Sequence, residues 1–209
     1  ANDIEFTTTG SRFLVGGAGF FLPMSGELNV RNALAVVTVS RHCGLEDAGI
    51  QAAFDSFQGI KRRMEVRGEV RGVTVIDDFA HHPTAVRETL KALRARYPGR
   101  KLWAIFEPRT NTTRRAVFQL DLVDALSVAD NVVVAQVAKL EQIPEGERLN
   151  PQQLMADLCS DGRQAEYLPD VEAIVAHVAE NANKGVVVCV LSNGSFGGIH
   201  KQLLEALMA

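Results

Sequence analysis

Four short runs carry almost no polar side chains: Val73–Ile76, Leu102–Phe106, Val132–Ala135 and Val186–Leu191. A strand without a polar face must be covered on both sides, which is the condition of strands in a parallel sheet. The intervening segments have helical periodicity. After Pro83, Val86, Leu90, Leu93 and Tyr97 recur at that spacing until Pro98-Gly99 ends the run. Val117–Leu126 reads as a second helix, and Pro151–Leu158 as a third behind Asn150 as N-cap. Asp170 caps a helix through Val178, and Ile199–Leu207 closes the chain. Met64–Val70 alternates as a further strand. Alternating elements of this kind predict an α/β fold, a mostly parallel sheet with helices on both faces.

Residues 6–65 are different. Phe6–Leu22 is rich in Thr, Gly, Phe and Val and reads as two strands joined by turns. A helix follows over Gly26–Arg41, with Val30, Leu34, Val37 and Arg41 on one face and Ala33, Ala35 and Val36 deepening the apolar stripe. A second runs from Leu45 to Phe57. So little chain buries too little surface to stand alone, and is expected to be the end of a domain that begins outside this sequence.

The 209 residues suit one large domain or one domain with part of another, and an apolar fraction of 46% supports a sizeable core. A net charge of -3 favours neither nucleic acid nor an acidic membrane as partner. Cys43, Cys159 and Cys189 are widely spaced in apolar surroundings and read as reduced core thiols. No apolar run spans a bilayer and no signal-peptide pattern opens the chain, so a cytoplasmic location is expected.

The polar residues gather just past the carboxyl ends of the strands: Asp77 to His82, Glu107 to Arg115, and Ser192 to Gly198. Loops after parallel strands open on one edge of the sheet, where ligands of such folds bind, so the three should converge. The last loop is glycine-rich at a helix start, suited to an anionic or carbonyl group, but it is no dinucleotide fingerprint, which belongs to a first strand–helix turn. His81 and His82 beside Asp77 and Asp78 invite a metal reading. That reading is the weaker one, because a metal site needs three or four ligands and His42 and His177 sit on helices without a ligand partner. His200 follows the glycine loop and stands within potential reach of the cluster. Arg109, Arg114 and Arg115 at a helix's amino end oppose its dipole unless an anion is present, which favours carboxylate or phosphate recognition by Arg109.

Three ordered stretches resemble the Mur ligases, ATP-dependent amide-bond-forming enzymes of peptidoglycan synthesis: Gly26–Ala35, Arg62–Glu65 and Asp77–Thr84. Phe79-Ala80, Glu107–Thr112 and Ser192–His200 are similar to the branch acting on UDP-N-acetylmuramate. The resemblance implies that residues 1–65 are the C-terminal end of the family's central ATPase domain and residues 66–209 its Rossmann-like C-terminal domain. No Gly-x-x-x-x-Gly-Lys-Ser/Thr phosphate loop occurs in the chain.

The implied activity joins UDP-N-acetylmuramate to the murein tripeptide L-alanyl-γ-D-glutamyl-meso-diaminopimelate through an acyl phosphate, in peptidoglycan recycling. It uses ATP and Mg2+, with the metal ligands mainly outside this chain, and the fragment alone is expected to be inactive. The resemblance assigns Asn29, Asn32, Arg63 and Asp78 to the nucleotide and His81 to the incoming amine. Phe79, His81, His82, Arg109, Thr110, Asn111, Thr112, Ser192, Asn193, Gly194 and Phe196 are assigned to the peptide, and no residue to a metal. Leu28 stands where the family usually has histidine. The alternatives are a UDP-N-acetylmuramate–L-alanine ligase, a metal-dependent hydrolase and a stand-alone binding module.

Overall fold

The computed structural model describes residues 1–208, which divide into two compact units: residues 1–61 with 91–99, and residues 62–90 with those from 100 onward. In the smaller unit β1 (Asn2–Phe6), β2 (Ser11–Val15) and β3 (Ala18–Leu22) form an antiparallel sheet. Gly16 and Gly17 join β2 to β3 at φ 59° and 83°, the two left-handed residues that a tight hairpin turn requires. Phe13, Phe20 and Leu22 pack with Val30, Ala33 and Val37 of α1 (Glu27–His42) and with Ile50 and Phe54 of α2 (Asp47–Ser56). Arg41 falls on this apolar stripe because its guanidinium lies 5.6 Å over the Phe20 ring and takes Asp47 bidentately at 2.7 and 2.8 Å.

Two expectations fail here. A third strand, β1, precedes the expected pair; all five of its residues are exposed, so it has no apolar signature. Ala35 and Val36 lie on the outer face of α1, with Val36 48% exposed, so the buried stripe is narrower than its composition suggested.

The larger unit holds six strands: β4 (Glu65–Val70), β5 (Val73–Asp78), β6 (Leu102–Phe106), β7 (Asn131–Ala135), β8 (Gln164–Leu168) and β9 (Val187–Leu191). Their order is β4-β5-β9-β6-β7-β8, with β4 antiparallel to β5 and all other pairs parallel. The helices are α3 (Pro83–Arg96), of which residues 83–90 belong to this unit, α4 (Gln119–Leu126), α5 (Pro151–Ser160), α6 (Val171–Asn181) and α7 (Ile199–Met208). This is the expected fold class, a mostly parallel sheet covered on both faces.

On one face Val73, Val75, Trp103, Ile105, Val188 and Val190 pack against Ile174 and Val178 of α6 and Ile199, Leu203 and Leu207 of α7. The alternating residues Ile76, Ala104, Phe106, Cys189 and Leu191 point the other way and are equally buried. Each large apolar side chain covered in this way contributes about 1.5–3 kcal/mol. Both expected caps are present: Asn150 Oδ1 accepts the Gln153 N–H at 3.0 Å, and Asp170 Oδ1 accepts that of Ala173 at 2.8 Å.

Three further readings need correction. Strand β8 gave no signal, because an edge strand with Gln164 and Glu166 toward solvent lacks a continuous apolar run. The helix placed over 117–126 begins as a 3-10 turn at Ala116–Phe118, with Val117 and Leu120 exposed. Cys43 and Cys159 are exposed, so only Cys189 is a core thiol; all three are free. Among the described residues no helix is long and apolar enough to cross a membrane.

The position of β9 decides where the polar loops meet. The last strand inserts between β5 and β6, with Asp78, Leu191 and Phe106 in register. The three loops rich in polar residues therefore leave neighbouring strands.

Candidate functional site

The loops after β5, β9 and β6 are tied together where they leave the sheet. The Ser192 N–H donates to the Asp78 carbonyl at 3.1 Å, and that of Glu107 to the Leu191 carbonyl at 3.1 Å. Beyond the backbone, the Ser192 hydroxyl hydrogen-bonds Glu107 Oε2 and also accepts the Gly194 N–H at 2.9 Å. Glu107 Oε1 stands 3.9 Å from Arg109 Nη1. The Arg109 guanidinium lies directly on Gly194, where an added Cβ would come within 2.0 Å of Nη1. The convergence expected from topology is therefore a physical contact between distant parts of the chain.

The adjacent carboxylates Asp77 and Asp78 face opposite sides of β5 and do different work. Asp78, 3% exposed, accepts the Met64 N–H at 2.7 Å, the Ala80 N–H at 2.8 Å and the Thr89 hydroxyl at 3.3 Å. Burial raises its carboxyl above the ordinary carboxylate range, against the lowering pull of those hydrogen bonds and the Arg63 charge. Both oxygens are engaged within the protein, so in this arrangement Asp78 holds the Arg63-Met64 segment and presents no open edge. Asp77, equally buried, faces α7, where His200 Nε2 lies 3.3 Å from its Oδ1.

Arg62 is the residue that sequence reasoning missed. Its Nη2 donates to the carbonyls of Ser192 at 2.6 Å and Gly194 at 2.8 Å, and its Nε reaches Asp77 Oδ1 at 3.4 Å. Its guanidinium and that of Arg63 lie 5.2 and 5.3 Å over the Phe79 ring. No periodicity distinguishes Arg62 from Arg63; the only signal was two arginines ahead of an edge strand.

The two histidines separate. His81 Nδ1 is 3.0 Å from the Phe79 carbonyl, and its ring meets Phe79 edge-on at 5.6 Å. A nitrogen facing a carbonyl must carry the proton, so in neutral His81 the Nε2 lone pair is the open acceptor. His82 Nδ1 accepts the Thr84 N–H at 3.3 Å and its ring packs on Phe118 at 4.8 Å, which makes it the cap of α3.

The loop after β6 is largely self-contained. Thr110 and Thr113 hydroxyls bond each other at 2.8 Å, and Asn111 Oδ1 accepts from Arg114 at 2.5 Å. Thr112 is exposed and its carbonyl accepts the Arg115 N–H at 3.1 Å. Arg114 also donates to the Ala138 carbonyl at 3.0 Å, and Arg115 pairs with Glu147. The Arg115 charge is thus met inside the chain, which removes the dipole argument for an anion there, whereas Arg114 has neutral acceptors and a buried Nε without a partner. Arg109 remains half-exposed, seated on Gly194 and with a long contact to Glu107. In the loop after β9, Asn193 Oδ1 is buried without a hydrogen-bond partner and Phe196 is packed in the core. Asn29 and Asn32 belong to the smaller unit, where the Asn29 amide donates to the Ser25 carbonyl at 2.8 Å and Asn32 is exposed. Among the described residues no group of three His, Cys, Asp or Glu side chains is placed to hold a metal ion.

A parallel sheet whose last strand inserts beside the first, with polar loops meeting at that carboxyl edge, defines a Rossmann-like ligand-binding domain. The family model described as "Mur ligase, glutamate ligase domain" matches residues 62–194, and the chain belongs to the Mur ligase family. It is 40% identical over 184 residues to the UDP-N-acetylmuramate--L-alanyl-gamma-D-glutamyl-meso-2,6-diaminoheptandioate ligase of Escherichia coli K12, covering 87% of this chain and 38% of that protein. To the UDP-N-acetylmuramate--L-alanine ligase of Agathobacter rectalis it is 37% identical over 185 residues, covering 88% and 39%. A crystal structure of a murein peptide ligase from Psychrobacter arcticus superposes with a TM-score of 0.69 at 32% identity, covering 96% of this chain and 40% of that one. The chain thus spans about two fifths of the length of the relatives it matches.

Proposed function

We propose that this chain is the C-terminal part of an ATP-dependent ligase that joins UDP-N-acetylmuramate to L-alanyl-γ-D-glutamyl-meso-diaminopimelate in peptidoglycan recycling. In this reading residues 1–65 end the central ATPase domain, and residues 66–209 form the domain that carries the peptide. The observation that carries it is the half-exposed Arg109 seated on Gly194, with an open His81 imidazole edge on the same rim.

A murein tripeptide offers several carboxylates and one reacting amine. Arg109 is suited to take a carboxylate as a two-pronged donor, with Glu107 holding the guanidinium in place. Asn193 Oδ1 is a buried acceptor without a partner beside these groups, and it could serve a peptide N–H only once the loop after β9 shifts to uncover it. His81 Nε2 would orient the alanyl amine and receive its proton as the amide forms, and Phe79 beneath it helps exclude water.

Groups suited to a nucleotide occur in each unit by itself. In the smaller unit exposed Asn32 offers an amide for adenine, with Asn29 one turn earlier on the same helix. In the larger unit the Arg63 guanidinium over Phe79 is a donor for phosphate, and Asp78 fixes its segment. Bound ATP with Mg2+ would supply the phosphoryl group that activates the muramate carboxylate as an acyl phosphate. The rest of the chemistry assigned here belongs to the residues of the rim.

Steady-state kinetics of the full-length enzyme test the reading. Arg109→Ala should raise the tripeptide KM by roughly 10- to 100-fold, the value of a charge-assisted hydrogen bond of about 1.5–3 kcal/mol, and leave the ATP KM unchanged. Equal effects on both would refute the assignment. Turnover with free L-alanine in place of the tripeptide would move the enzyme to the alanine-adding branch.

A further inference from the structure

Asp77 has no place in the reaction just described, yet three segments converge on its buried carboxylate. Arg62 approaches it at 3.4 Å from the segment before β4, Arg67 at 3.8 Å from β4, and His200 at 3.3 Å from the first turn of α7. Arg62 continues to the Ser192 and Gly194 carbonyls. The loop Ser192–Gly198 is therefore fastened near its start through Arg62 and just past its end through His200, both to the same carboxylate. It ends in Gly197 and Gly198 at φ 59° and 71°, a left-handed pair that residues with side chains rarely adopt, just past Phe196 in the core.

The His200 end of this arrangement is the weaker one. The imidazole is 12% exposed on its side chain, and Nε2 is buried without a properly aligned hydrogen bond despite its closeness to Asp77. Burial holds its pKa below the ordinary histidine value. Asp77 on β5 and Glu65 on β4 pull it up, while Arg67 on β4 and Arg62 push it down.

We propose that Asp77 is the positioning residue of the Ser192–Gly198 loop, anchoring it through Arg62 and His200. The anchoring does not depend on the ligase reading; only the loop's place in the peptide site does.

Hydrogen exchange of the intact protein tests this. Asp77→Asn, Arg62→Lys and His200→Gln should each lower the protection of residues 192–198 roughly tenfold. Should Asp77→Asn not fold, His200→Gln and Arg62→Lys keep the question open to measurement. Unchanged protection in the variants that fold would overturn the proposal. Lost protection accompanied by a raised tripeptide KM supports it in full. Lost protection with an unmoved tripeptide KM supports the anchor and removes only the loop from the peptide site.

Discussion

Arg109 rests its guanidinium on the α-carbon of Gly194, in space that any side chain at 194 would occupy. Residue 194 has no left-handed φ, so its lack of a Cβ serves the arginine and not the turn. Two residues 85 positions apart in the chain, on loops after β6 and β9, thus share one volume.

Gly194→Ala should for this reason mimic the loss of Arg109 without touching its charge. The added methyl forces the guanidinium off its seat and away from Glu107. An increase of roughly tenfold or more in tripeptide KM is expected, about 1.4 kcal/mol, with ATP KM and thermal stability little changed. Binding of the tripeptide followed by calorimetry reads the same loss directly.

Replacing His81 by alanine separates positioning from chemistry. With its Nδ1 committed to the Phe79 carbonyl, Nε2 is the one nitrogen available to an incoming amine. Loss of a proton acceptor should lower kcat by about 10²-fold or more and alter tripeptide KM much less. A change confined to KM would make His81 a binding residue only.

Asp78→Asn should uncouple stability from acid. As pH falls, the folded chain takes up a proton on Asp78 before the unfolded chain does, because burial raises its folded pKa. Between that raised value and the ordinary carboxylate value, acidification relieves the cost of an ionised buried group and favours the fold. The asparagine variant should lack this contribution in a plot of unfolding free energy against pH. It should also be less stable at neutral pH by about 1–3 kcal/mol, because an amide NH2 cannot accept the N–H of Met64 or Ala80 as the carboxylate oxygens do.

The apolar runs announced β5, β6, β7 and β9 to within a residue or two at their ends, because strands covered on both faces admit almost no polar side chain. Edge strands β1 and β8 escaped for the converse reason: half-covered backbone tolerates Glu5 and Glu166, and its pairing is invisible in composition. Asn150 and Asp170 were legible as caps because capping is a local contact of three residues.

The candidate site divides along the same line. That three polar loops leave one edge follows from strands running parallel, and this much was contained in the amino-acid order. Which loops touch was not, since it depends on β9 threading between β5 and β6, a pairing between residues more than a hundred positions apart. That pairing turns Arg62 toward the Ser192 carbonyl and sets Asp77 against His200 while Asp78 faces α3. Neighbouring residues of one type receive different roles because a strand sends alternate side chains to opposite faces, and what waits on each face is decided by distant chain.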